Sequence, residues 1–215
     1  ITVGDKCEQG HGTDRPGLGW GSKYYIEDLP QLLDSPGEWW YERQTGRLYL
    51  WPRNTGNPSN MSIEISRRSD AFDLHNLSHI TLDGLTIEFF SGIAISTVNT
   101  SYDKSHHNSV QNILLRYSNM GVWLSQYVDP NAPDDMSIDG FTIEDSEIAY
   151  MDTEAIHTYS SWKGSPSTKS FTRPGVTNVV VRRNEMHHLG YRTDYEDGVG
   201  IEFIFADHLR FEDNH

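Results

Sequence analysis

The chain has 215 residues, with 17 Lys and Arg against 31 Asp and Glu and a formal net charge of −14. That balance argues against a nucleic-acid partner, whose phosphates attract Lys and Arg, and disfavours a polyanionic substrate. The single cysteine, Cys7, allows no internal disulfide, and no apolar run is long enough to span a membrane.

In chain order, residues 1–70 form a lead segment without repeats. Its Gly-rich stretch, Gly10-His11-Gly12 and Gly17–Gly21, lacks the strand and GK[ST] context of a phosphate loop and reads as a flexible entry. A short helical turn is expected within Ile26–Leu33. The runs Pro36–Glu42 and Arg47–Pro52 are aromatic and flank Gln44-Thr45-Gly46, which predicts a β-hairpin. The hairpin reads foremost as a cap over the end of the following repeats. Its alternative role is a sugar-stacking platform built from Trp39, Trp40 and Trp51.

Residues 71–215 repeat. Ile87, Leu115, Ile143, Val181 and Phe211 fall in one column, spaced by 28, 28, 38 and 30 residues (115 − 87, 143 − 115, 181 − 143, 211 − 181). One position later stand Glu88, Arg116, Glu144, Arg182 and Glu212; three later stand Phe90, Ser118, Ser146, Asn184 and Asn214. A period of about 20–50 residues marks a stacked array, and the local alternation is that of strands. The columns predict an all-β coil of parallel strands, with charge pairs and a polar ladder linking successive units. Turn residues Asp83-Gly84 and Asp139-Gly140 precede the strands, with Asn178 and His208 in the glycine's place. A second strand follows in each unit, at Gly92–Ser96, Gly121–Ser125, Glu154–Thr158 and Val199–Phe203. The repeats end without a visible cap, so the remainder of a longer polypeptide is expected to follow.

Departures from the columns are where chemistry is expected. The interval between the two strands widens at Tyr150–Glu154 and at His187–Gly198, both rich in carboxylates and imidazoles. Counting from Ile156 and Ile201 places Asp152 beside Asp197, a carboxylate pair at the separation of a retaining glycosidase, about 5 Å. Their alternative is turn capping. The same count sets His157 beside Glu202, facing out, with Ser125 and Ser96 behind, and Trp123 beside Ala155 and Gly200. There Trp123 would wall a hollow suited to a sugar's C–H face. For His187-His188 one ring in and one ring out is expected. Asp152, Glu154, Asp194, Glu196, Asp197 and Glu202 offer oxygen ligands for calcium, but in no EF-hand spacing; no cofactor is otherwise expected.

The whole pattern resembles the right-handed parallel β-helix, the fold of many polysaccharide hydrolases and lyases. The hairpin resembles the lead-in of bacterial β-helix carbohydrate enzymes, over roughly Tyr24 to Ile95. Arg183-Asn184-Glu185-Met186-His187-His188-Leu189-Gly190, followed by Asp197-Gly198-Val199-Gly200-Ile201, is similar to a segment of β-helix glycoside hydrolases such as the family 120 xylosidases and the family 141 group. That resemblance implies a secreted, periplasmic or cell-surface enzyme hydrolysing glycosidic bonds of a polysaccharide or oligosaccharide. It makes Asp197 the nucleophile or base, with Asp194 as the competing match. Asp152, Glu202 or a residue beyond His215 would be the acid. Trp123, His157, Glu154, Arg192, His188 and Trp162 would contact the sugar. A polysaccharide lyase and a non-catalytic glycan-binding coil are the alternatives.

Overall fold

The computed structural model describes residues 28–54, 57, 60–100, 102–129, 131–133, 135–162, 174–190 and 200–215, the side chains of 161 and 162 excepted. The Gly-rich stretch of residues 10–21 lies outside them. The chain divides into two compact units, Ile1–Ile63 and Glu64–His215. Among the described residues no helix is long and apolar enough to cross a membrane.

In the first unit the expected helical turn is a single 3-10 turn, Pro30–Leu32, opened by the fixed φ of proline. The hairpin forms as β1 (Trp39–Glu42) and β2 (Arg47–Leu50), antiparallel, with Trp40 opposite Tyr49 and Glu42 opposite Arg47. Gly46 closes its turn at φ +70, donating its N–H to the Glu42 carbonyl at 2.8 Å. A left-handed backbone there is what only glycine adopts cheaply.

The regular elements described in the second unit are all strands. Its elements are β3 (Phe72–Asp73), β4 (Thr81–Asp83), β5 (Thr86–Asn99), β6 (Ser105–His106), β7 (Ser109–Gln111), β8 (Leu114–Val128), β9 (Ile138–Asp139), β10 (Thr142–Glu144), β11 (Glu147–Met151), β12 (Ile156–Trp162), β13 (Val176–Thr177), β14 (Val180–Arg182), β15 (Glu185–Leu189), β16 (Ile201–Ile204), β17 (Ala206–Asp207) and β18 (Arg210–Glu212). They form three parallel sheets: β17-β13-β9-β6, β18-β14-β10-β7-β4, and a seven-stranded sheet in which β8 pairs β5, β11 and β12. The chain visits the three sheets in constant order, so each strand lies against its counterpart one repeat away.

The inward rows make the core. Leu82, Val110, Ile143 and Val181 stack through the middle sheet, and Ile87, Leu115, Ile148 and Met186 through the first half of the large one. Ile95, Val122, Ile156 and Ile201 continue its second half. Alternate residues point out, the period-two consequence of extended backbone.

These rows correct the register expected from sequence. The column through Ile87, Leu115, Ile143, Val181 and Phe211 splices two rows. Ile87 and Leu115 stack on Ile148, whereas Ile143 stacks on Val110. The physical reason is a degeneracy. Five residues separate the two inward rows in each unit (87 − 82, 115 − 110, 148 − 143, 186 − 181). A slip of five therefore lands on an equally apolar, inward position. The alternating charges are real contacts, but in two sheets: Arg116 bonds Glu88, and Arg182 Nε lies 2.6 Å from Glu144 Oε2. The polar ladder holds only from Ser146 onward. Asn184 Oδ1 accepts from the Ser146 N–H at 3.1 Å, and Asn214 Oδ1 from the Asn184 N–H at 3.0 Å.

A second slip, of two residues, lies in the second half of the large sheet, where an irregularity in β5 between Phe90 and Ile93 lowers the offset to β8 from 28 to 27 (118 − 90, 120 − 93) instead of raising it to the expected 29 (124 − 95). Ile95 pairs Val122, not Leu124. Two residues preserve the face, so inward stays inward while the neighbours across β8 change. With the register restored, eight residues separate the rows at Ile148 and Ile156 (156 − 148), as at Ile87 and Ile95 (95 − 87). Tyr150–Glu154 is therefore no insertion. The stretch after Met186 remains one, at fifteen (201 − 186).

The bends use left-handed residues in columns. His79, His107, Gly140, Asn178 and His208 all have φ between 53 and 69 degrees, which bears out the placing of Asn178 and His208 with Gly140, whereas Gly84 belongs to another left-handed column with Asn112, Asp145 and Arg183. A second column, Phe89, Tyr117, Tyr150 and His188, is also left-handed, and its rings stack at 5.3, 5.0 and 4.7 Å. Face-to-face contact between neighbours offsets part of the backbone cost of a non-glycine left-handed residue.

Candidate functional site

The outer face of the second half of the large sheet carries Ser96, Trp123, His157 and Glu202 in one row across β5, β8, β12 and β16. His157 does pair with Glu202. Its other neighbour is Trp123, not Ser125, and Ala155 lies beside Gly121 rather than Trp123. The predicted hollow between Trp123, Ala155 and Gly200 is thus replaced by a direct Trp123–His157 contact, edge to face with centroids 5.5 Å apart.

Although the row faces outward, Ser96 and His157 are buried. His157 is anchored at Nδ1, 2.7 Å from Glu154 Oε2 and 3.3 Å from Glu202 Oε2. Both partners are acceptors, so the proton of the hydrogen-bonded ring belongs on Nδ1. Glu154 has no exposed surface, and the Glu202 side chain is 37% exposed. A buried carboxylate is tolerated only when paired. Glu154 is therefore a positioning residue that grips the ring, while Glu202 is the carboxylate open to an incoming molecule. The assignment of Glu154 to sugar contact is corrected on that ground.

Local backbone explains the grip. Glu154 stands in the link between β11 and β12, and its carbonyl accepts from the Gly121 N–H at 3.0 Å. A Cβ added to Gly121 would stand 2.2 Å from the Ala155 carbonyl oxygen. Glycine there lets β8 and the link close together, which brings Glu154 under the ring.

The other expected residues fall differently. Asp152 is partly buried, and its N–H donates to the Ser118 carbonyl at 3.0 Å; the next residue, Thr153, accepts from Gly190 at 3.0 Å. Asp197, Arg192, Asp194 and Glu196 lie outside the described residues, as does the Trp162 side chain. The Asp152–Asp197 pairing thus has no geometry to set beside it. His188 stacks on Tyr150, and His187 Nε2 lies 3.4 Å from Glu147 Oε1. Neither ring points into the core, contrary to the in-and-out expectation: His187 follows inward Met186 on the opposite face, and His188 belongs to the left-handed column.

The ligand atoms of Glu154, His157 and Glu202 all lie within 4.8 Å of one another, close enough to share a cation or protons. Of the six carboxylates considered for calcium, Glu154 and Glu202 are brought together here. An imidazole between them is foreign to an all-oxygen calcium shell. The sequence signal for this group was the Glu154-x-x-His157 spacing at a strand start, legible only once β12 was in register with β16.

A family model described as the GH141 insertion domain matches residues 6–53. The match covers the hairpin and supports a relationship to glycoside hydrolase 141 proteins over that short region. It points to a glycoside-hydrolase-related function. No curated protein and no solved structure matches the chain.

Proposed function

We propose that the chain is part of a secreted or cell-surface glycoside hydrolase built on a right-handed parallel β-helix, with the hairpin unit as its lead segment and residues 71–215 as its coils. It would act on a polysaccharide or oligosaccharide. The observation that carries the reading is the Glu154–His157–Glu202 group beside Trp123 on the outer face of the large sheet. The match over residues 6–53 adds independent support.

In this reading Glu202 is the general acid: it protonates the departing glycosidic oxygen and later takes a proton from water. His157 holds Glu202 in place through Nδ1, and Glu154 holds His157. Asp197, on the segment that leads into β16, is the nucleophile or base. Glu202 replaces Asp152 as the preferred acid because it shares a hydrogen-bonded group with an imidazole. Trp123 offers its ring to the sugar.

The test uses the full-length polypeptide and aryl glycosides of graded leaving-group ability. Glu202→Gln is expected to lower kcat/KM about 10²–10⁴-fold on poor leaving groups and far less on activated ones. Asp197→Asn is expected to abolish turnover on both while the fold persists. Near-normal activity of Asp197→Asn, or an unsaturated product in place of a hydrolysed one, would overturn the reading.

A further inference from the structure

A second cluster of metal-ligating side chains lies on a different sheet from the Glu202 group. His79 and His107 are successive members of the left-handed column at the bend beside β6, and their rings stack at 5.3 Å and 13 degrees. His106 precedes His107 on β6, with its ring 4.7 Å from that of His79. Ligand nitrogens of the three rings all lie within 4.8 Å of one another. We propose that His79, His106 and His107 form a binding site for a divalent transition-metal cation of the zinc class, which ties two successive bends of the coil together.

The backbone holds the three positions. The His79 N–H donates to the His106 carbonyl at 2.9 Å, and the His107 N–H to the Asp139 carbonyl at 2.9 Å. The Nδ1 atoms of His106 and His107 stand 3.0 Å apart. Two nitrogens bound tetrahedrally to zinc at about 2.0–2.1 Å are about 3.3 Å apart, so this pair needs only a small opening. His79 and His107 are exposed, so their rings are free to turn the remaining distance.

A carboxylate stands on the next rung. Asp139 is the register partner of His106 on β9. Its Oδ1 accepts from Thr177 Oγ1 and Asn178 Nδ2, both at 2.7 Å. A carboxylate fixed in this way suits an outer partner that orients an imidazole. Nitrogen-rich donors select zinc, copper or nickel over calcium and magnesium.

Equilibrium dialysis and calorimetry of the full chain, with zinc chloride in a non-chelating buffer at neutral pH, test the proposal. One equivalent of zinc at micromolar affinity is expected, with a rise in melting temperature and no comparable effect of calcium. His79→Ala and His107→Ala should each weaken binding by at least about tenfold. His208→Ala, farther along the same column, and His157→Ala, in the other cluster, should bind as wild type. Circular dichroism of each metal-free variant separates lost binding from lost fold. Absence of zinc binding, wild-type affinity in His79→Ala and His107→Ala, or loss confined to His157→Ala would overturn the site.

Discussion

Two regions of the repeating unit use the same scaffold in opposite ways. Along the middle sheet and its bend, each unit answers its neighbour with matching chemistry. Asn184 bonds Ser146 and Asn214, Arg183 pairs Asp145 with a 2.6 Å contact, and Asp83 accepts from Gln111 and Asn112. Along the outer row of the large sheet the neighbours are unlike: Ser96, Trp123, His157, Glu202. Where a stacked position repeats a bonding pattern, its polar groups satisfy one another and serve the fold. Where it changes at each step, the polar groups find other partners, as His157 does in Glu154 and Glu202.

The largest test of this contrast is Glu154→Ala. Removing one partner of a buried charged pair costs about 3–5 kcal/mol, which chemical denaturation would detect. If the row is functional, activity of the full polypeptide falls with it. The milder Glu154→Gln keeps the volume and separates the two effects. Gly121→Ala comes next, at about 1–3 kcal/mol for overpacking. It should displace the Glu154 link and so lower kcat more than any change of equal stability in the ladder.

Asn184→Ala supplies that comparison. Asn184 is buried, and its side chain meets the Ser146 N–H, the Ile143 carbonyl and Asn214. Its loss leaves buried groups unpaired and is expected to cost about 1–3 kcal/mol with kcat unchanged. An equal loss of kcat in Asn184→Ala and Gly121→Ala, at matched stability, would erase the distinction between the two regions.

The smallest effect is on pH dependence. The Thr100 side chain foremost, then His75, whose Nε2 is 2.8 Å away, hold the Asp103 carboxyl down at about 2 against an ordinary 3.8. A depressed carboxyl binds its proton more weakly folded than unfolded. Its contribution is therefore full above 3.8 and is lost as pH falls from 3.8 through 2. Asp103→Asn should be less stable than wild type at neutral pH, and the gap should close over that window in acid unfolding curves.

Much of the architecture was legible in the chain. Alternating apolar residues required strands, aromatic runs about Gly46 required a hairpin, and Gly84 and Gly140 marked left-handed bends, of which the Gly140 bend continues at Asn178 and His208. The pairing of His157 with Glu202 was also readable, since both follow an inward isoleucine at the start of their strands. Register was not. The two inward rows lie five residues apart in each unit, so local pattern cannot tell one row from the next, and beyond the irregularity in β5 Trp123 stands beside Ser96, two places from the expected register and on the same face. Only hydrogen bonding between strands far apart in sequence resolves that degeneracy. The same long-range packing buried Glu154 beneath His157 and left Glu202 half open. Burial depends on what stacks above and below a residue, and no single stretch of chain carries that information.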